Sequence, residues 1–276
     1  MAGMSVNLNP QAEQMADESM VRNLAAQIEC IWPQEQPLFE RYGLRGPLRI
    51  LDAGCGTGEA SGRLAALYPD ASLLGVDIID AHLDLARGHL EGFGERLQFE
   101  NRSIFELGLP DHAFDLTVCR HVLQAIPHAD RALAELVRVT RPGGRLHLIA
   151  EDYGMIHFAK RALDPDDFWT VAPAEFGRAL GTDLHIGRNA PGILRRLGLK
   201  ELRTDYVIVD PQHAPRESFA QIWTAWRDGY CEAIGQHTSI NATLARAHFD
   251  DQIATIRDPG SYAVWFVPVV SGVVAG

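Results

Sequence analysis

Asp52 ends a short apolar run and is followed by three glycines at alternate positions, Gly54, Gly56 and Gly58. Glycines in such a turn let a ligand lie against the backbone, and a carboxylate just ahead of them suits a ligand that carries an ammonium group. About twenty residues beyond the glycines, the run Ser72–Ile78 contains Asp77, a carboxylate able to accept hydrogen bonds from both hydroxyls of a ribose. The spacing also argues against one ligand class. A dinucleotide turn, G-x-G-x-x-G, needs its third glycine at position 59, where Glu59 would set an anion beside a pyrophosphate.

These groups can act together only if strands and helices carry them to one edge. Segments near 48–52, 72–77, 96–100, 114–119 and 145–151 read as buried strands, with helical segments between them, beginning with Glu59–Leu67. That alternation predicts an α/β fold, a parallel sheet with helices on both faces and ligands gathered outside the carboxyl ends of the strands. Upstream, Met20, Leu24, Ile28 and Ile31 recur at helical spacing. They predict a helix over 15–32, capped by Asp17 and broken by Pro33 and Pro37, then a short helix to Tyr42; 1–11 is expected to be disordered. Downstream, a long excursion over 152–181 precedes a helix at 189–197, a strand at 202–209, and two amphipathic helices near 215–234 and 240–256. The expected organisation is one domain over 46–276 with a helical cap: an N-terminal segment, 1–45, and insertions at about 152–188 and 211–258 that roof the pocket.

Asp52 with its glycine turn resembles motif I of the class I S-adenosylmethionine (SAM) methyltransferases, of the small-molecule type found in ubiquinone and menaquinone biosynthesis. The resemblance covers roughly residues 46–150. Within it, Leu107–Val118 is similar to the family's entry into its fourth strand, and Thr-Arg-Pro-Gly-Gly at 140–144 to the turn before the fifth. It implies a Rossmann-like, seven-stranded, mostly parallel sheet, with 202–209 as the sixth strand and 262–270 as a seventh inserted antiparallel beside the fifth. It also implies SAM as cofactor. Asp52, Gly54, Cys55, Gly56 and Gly58 would lie at its methionine end, Asp77 at its ribose, and Ile78, Ser103 and Ile104 at its adenine, with Arg120 and Gln124 completing the site. Ser103 departs from the pattern: relatives carry an aspartate there, so a hydroxyl replaces a carboxylate at the adenine amino group. Asp115 and the Pro142-Gly143-Gly144 turn are expected to shape backbone.

Methyl transfer from a sulfonium is an in-line displacement, which needs alignment and exclusion of water, and a base only where the acceptor must lose a proton. His185 is the expected base, with Asp183 as its orienter and His157 as second choice. Tyr153, Arg188, His121, Trp32 and Trp226 are the expected substrate contacts; His121 directly follows a strand, where bonding a backbone carbonyl is the plainer role and catalysis the alternative. Trp32, Trp169, Trp223, Trp226 and Tyr230 together suggest an apolar or aromatic acceptor. The leading reading is therefore a SAM-dependent methyltransferase acting on a small metabolite. Its alternatives are a SAM-binding sensor or accessory protein without turnover, and an NAD-dependent oxidoreductase, which Glu59 disfavours.

Composition narrows the partners. With 276 residues, 46% apolar and 22% charged, the chain has ordinary globular composition. Its formal net charge of −11, with no run of lysine or arginine, disfavours nucleic acid and anionic membranes as partners and leaves a small molecule. Cys30, Cys55, Cys119 and Cys231 form no C-x-x-C pair, which argues against a metal site and structural disulfides. Asp17 and Glu18 stand where a signal peptide would be apolar, and the apolar run 262–270 is too short to span a bilayer, so a cytoplasmic location is expected. Oligomeric state stays open.

Overall fold

The computed structural model describes residues 7–276. The expected disorder of 1–11 falls largely on residues 1–6, outside the described residues; Gln11 itself is buried. Two helices open the chain, α1 (Ala12–Met15) and α2 (Glu18–Arg41). The alternating part follows: β1 (Arg49–Ala53), α3 (Glu59–Leu67), β2 (Ser72–Asp77), α4 (Asp80–His89), β3 (Leu97–Asn101), β4 (Phe114–Arg120), α5 (Ala129–Val139) and β5 (Thr140–Ile149). Then come β6 (Ile156–Phe158), α6 (Asp166–Trp169), α7 (Ala172–Leu180), α8 (Ile186–Arg196), β7 (Lys200–Val209), α9 (Arg216–His237), α10 (Ala242–Arg257) and β8 (Ala263–Val273).

The strands form one sheet in the order β3-β2-β1-β4-β5-β8-β6, with β7 also paired to β8. β1 to β5 run parallel, and β8 is antiparallel to β5, β6 and β7. The sheet thus has eight strands where the resemblance implies seven. The addition is the short β6, which pairs with Ala263–Trp265 of β8, beyond the Val269–Val273 stretch that β5 covers. Burial on both faces explains the continuous apolar runs: consecutive Ile50 and Leu51 are both fully buried. α5 buries Ala129, Ala132, Leu133, Leu136 and Val139, one stripe at helical period. Asp115 holds backbone: its Oδ2 accepts from the Arg49 N–H at 2.7 Å and its Oδ1 from Arg141 Nε at 2.5 Å.

α2 corrects an expectation. It runs unbroken through Pro33 and Pro37, which lie four apart on its exposed side, as does Glu29. The carbonyls of Glu29 and Pro33, which lose their N–H partners to the two prolines, therefore face water, where solvent satisfies them. Asp17 caps the helix, its Oδ1 accepting from the Ser19 N–H at 2.8 Å. α2 packs against α9 at Gly229, where a Cβ would stand 2.7 Å from Ser19 Oγ. Among the described residues no helix is long and apolar enough to cross a membrane, and no group of metal-binding side chains occurs.

Candidate active site

The loop after β1 places its glycines by backbone conformation. Gly54, Gly56 and Gly58 have φ of +75°, +52° and +82°, a region costly for any residue with a Cβ. A Cβ on Gly54 would also fall 2.2 Å from Val122 Cγ2, and one on Gly56 2.8 Å from Leu24 Cδ1. The next strand supplies the charge. Asp77 Oδ2 accepts from the Gly56 N–H at 2.9 Å and Oδ1 from the Ile79 N–H at 3.0 Å, which leaves each oxygen a further lone pair for a ligand. Below the turn, Asp52 is buried and accepts from Ser61 Oγ at 2.6 Å. Burial pushes its carboxyl up to about 6, against the pull of the Ser61 hydrogen bond and the Arg120 charge.

Two clefts, each about 760 Å³ with its mouth, open along the carboxyl edge of the sheet. One is lined by Gly54, Gly56, Asp77, Ile78, Ile104 and Arg120, together with His82 and Arg102. The other is walled by Phe168, Trp169, Phe176, Trp226, Tyr230 and Phe249, with Tyr153 and Gln124. They share Gln11, Met15, Leu24 and His121, so the second cavity begins where the first ends.

The lining of the first cleft offers the groups that SAM requires. The glycine turn admits a ligand backbone-close, Asp77 offers acceptors for a diol, and Ile78 and Ile104 present flat apolar faces for a base. His82 adds a polar group to this wall. Its Nε2 is buried without a partner among the described residues, and burial outweighs the nearby Asp77 charge to keep the imidazole below its usual range.

At the junction, His121 Nδ1 lies 2.5 Å from Glu151 Oε1. His121 follows β4 and Glu151 follows β5, and these strands are parallel neighbours in register at Arg120 and Ile149. Their ends therefore meet. His121 takes a φ of +57°, held by its N–H to the Ile149 carbonyl at 3.1 Å. Both partners are buried, and neither His121 Nε2 nor Glu151 Oε2 has a further partner among the described residues.

A model described as "Methyltransferase domain" matches residues 50–144, about a third of the chain, spanning β1 to the start of β5. The chain carries a class I SAM-dependent methyltransferase domain. Trans-aconitate 2-methyltransferase of Methylobacterium nodulans is 38% identical over 109 residues, 40% of this chain and 40% of that protein. The ubiquinone/menaquinone biosynthesis C-methyltransferase of Pseudomonas putida is 30% identical over 133 residues, 47% of this chain and 52% of that one. Curated relatives are matched over about a quarter to a half of their own length. In fold, the chain is similar to Haemonchus contortus phosphoethanolamine N-methyltransferase 2 solved with SAM, at a TM-score of 0.62 and 16% identity, over 99% of this chain and 61% of that one.

Several residues expected in the methyltransferase site stand elsewhere. His185 and Asp183 line neither cleft, and Asp183 does not orient the imidazole: it accepts from the His185 backbone N–H at 2.9 Å and from Asn189 Nδ2 at 2.7 Å. His157 is exposed on β6 against Phe266. Arg188 is locked onto the buried Asp152 through Nε and Nη2, at 2.5 and 2.6 Å. Trp32 packs on Phe39 and donates to Gln36, away from both clefts. Cys55 and Gly58 lie behind the turn, where a Cβ on Gly58 would meet Leu90, Ala86 and Phe99. Ser103 Oγ is engaged locally, accepting from the Phe105 N–H at 3.3 Å.

Arg120 lines the first cleft, yet its guanidinium is also half of a buried pair. Nε and Nη2 donate to the two oxygens of Glu35 at 2.9 Å each. Glu35 Oε1 also accepts from His147 Nε2 at 2.9 Å, and His147 Nδ1 meets Tyr42 Oη at 2.8 Å. Burial pushes the Glu35 carboxyl up, but the Arg120 charge and the His147 hydrogen bond overcome it and hold it down at about 2. This network bolts α2 to the sheet. Sequence reasoning missed Glu35, His82 and the pairing of His121 with Glu151. The last was within reach, since adjacent parallel strands must end side by side.

Proposed function

We propose that the protein transfers the methyl group of SAM to a small, apolar, aromatic acceptor in the cytoplasm. The observation that carries this reading is the meeting of the two clefts at Gln11, Met15, Leu24 and His121. Bound SAM supplies an electrophilic methyl on a sulfonium. On this reading Gly54, Gly56 and Asp77 hold the cofactor, and Ile78 and Ile104 flank its adenine. Tyr153, Trp169 and Trp226 orient a ring in the neighbouring cavity, their centroids 5.5 to 6.4 Å apart in edge and tilted contacts. The helices α1, α2, α6, α7, α9 and α10 act as the cap that excludes water. The curated relatives named as methyltransferases of small molecules support a small acceptor. The aromatic acceptor rests on the cavity walls alone.

Isothermal titration with SAM and with NAD tests the cofactor. Binding of SAM without NAD is the expected result, and the reverse overturns it. Release of S-adenosylhomocysteine on adding an aromatic acceptor separates an enzyme from a protein that only binds SAM.

A further inference from the structure

We infer that His121, positioned by Glu151, is the general base of this site, and hence that the acceptor is a protic hydroxyl on an aromatic or enolic carbon. The inference rests on the methyl-transfer reading above. In the neutral imidazole, a carboxylate 2.5 Å from Nδ1 holds the ring proton on that nitrogen and leaves the Nε2 lone pair free to accept. That nitrogen is buried without a partner among the described residues, in the side chain that belongs to both clefts. A buried acceptor left open is costly unless a ligand proton meets it.

The same wall repeats the demand. Gln124 donates Nε2–H to the His121 carbonyl at 2.8 Å, which turns its Oε1 away, buried and unpartnered among the described residues. Glu151 Oε2 is in the same condition. Three unpartnered acceptors thus stand on this wall, while the unpartnered donors of the same lining, among the described residues, are Gln11 Nε2 and Trp169 Nε1, and a ligand group that reaches the wall must bring hydrogen. The other titratable groups of the cavity are poor bases. Burial, then the Glu151 charge, holds the phenols of Tyr153 and Tyr230 above their usual range, so both stay protonated. His121 also holds its position against strain, since a φ of +57° is uncommon for a residue other than glycine.

The step balances as follows. The acceptor hydroxyl gives its proton to His121 Nε2, and the electron pair so freed forms the oxygen–carbon bond to the methyl group. The carbon–sulfur bond of the sulfonium breaks with its pair left on sulfur, giving a neutral thioether. Glu151 stabilises the imidazolium, which afterwards returns its proton to water.

2-Naphthol and 2-naphthalenethiol have the same ring system, but at about pH 8 only the thiol is already ionised. Single-turnover rates with both probes, alongside SAM affinity, test the inference. In His121→Asn, whose asparagine tolerates the positive φ, naphthol methylation should fall by about 10²–10⁴-fold and thiol methylation by less than about tenfold. Glu151→Gln keeps the shape but loses the charge, and should show the same split with a smaller loss. Equal losses on both probes, or no loss on naphthol, overturn the inference. So does wild-type protein that binds SAM and methylates only the thiol, or neither probe. Failure of wild-type protein to bind SAM is a separate result, and removes the methyl-transfer reading itself.

Discussion

The backbone N–H of Gly56 donates to Asp77 Oδ2 at 2.9 Å, which joins the turn after β1 and the carboxylate ending β2 into one unit. Disturbing either half should disturb the other. Gly56→Ala imposes a Cβ at φ +52° and 2.8 Å from Leu24 Cδ1. It should lower stability by about 1–2 kcal/mol and weaken SAM binding at least about tenfold. Urea unfolding with and without SAM reads both effects; a variant still stabilised by SAM as wild type is would show that the turn tolerates a side chain.

Glu35 carries a pH-dependent share of stability. Its carboxyl is held at about 2 in the folded protein against an ordinary 4.5, so the stabilisation is complete above about pH 4.5 and is lost as pH falls towards 2. Glu35→Ala leaves Arg120 buried and unpaired, and should cost about 3–5 kcal/mol at neutral pH. Urea midpoints measured from neutral pH down to about pH 3 should show the gap between wild type and variant narrowing below about pH 4.5. A gap that stays constant would place the stabilisation in packing and not in the ion pair.

Asp52 works in the opposite sense. Burial raises its carboxyl to about 6 from an ordinary 3.8, so the folded state loses stability as pH rises between these values. Asp52 lines neither cleft, so the effect is one of stability: Asp52→Asn should be as stable as wild type near pH 4 and more stable at neutral pH. Thermal melts at the two pH values check it. A variant less stable than wild type at neutral pH would contradict the cost assigned to burying this charge.

The entrance segment should respond to ligand. Gln11, Met15 and Leu24 touch both clefts from α1 and the first half of α2. Hydrogen exchange over 11–24 should slow when SAM and 2-naphthol are added together. Unchanged protection would mark this segment as fixed scaffold.

Sequence pattern reaches different parts of this molecule unequally. The glycine turn, Asp77 and the β/α alternation are local signals, and each stands where periodicity and spacing predict. β6 was invisible because three residues carry no period. Pro33 and Pro37 misled for a physical reason: a proline breaks a helix through the carbonyl it orphans, and here those carbonyls face water. The Asp183–His185 loop reads as a base with its orienter because neighbours in sequence are easy to pair. The structure instead joins His121 to Glu151, thirty residues apart, through the register of β4 and β5. Glu35 gave no signal at all, since a glutamate amid helical polar residues reads as solvated until Arg120 and His147 are seen closing on it.

With SAM in the cleft lined by Asp77 and its ribose on that carboxylate, titration of SAM into Asp77→Ala is the decisive measurement. Losing charge-assisted bonds to two hydroxyls should cost about 2–3 kcal/mol, a dissociation constant raised about 100-fold. Circular dichroism and melting of the variant confirm that it is folded. A dissociation constant equal to that of the wild type, in a folded Asp77→Ala protein, would contradict the assignment.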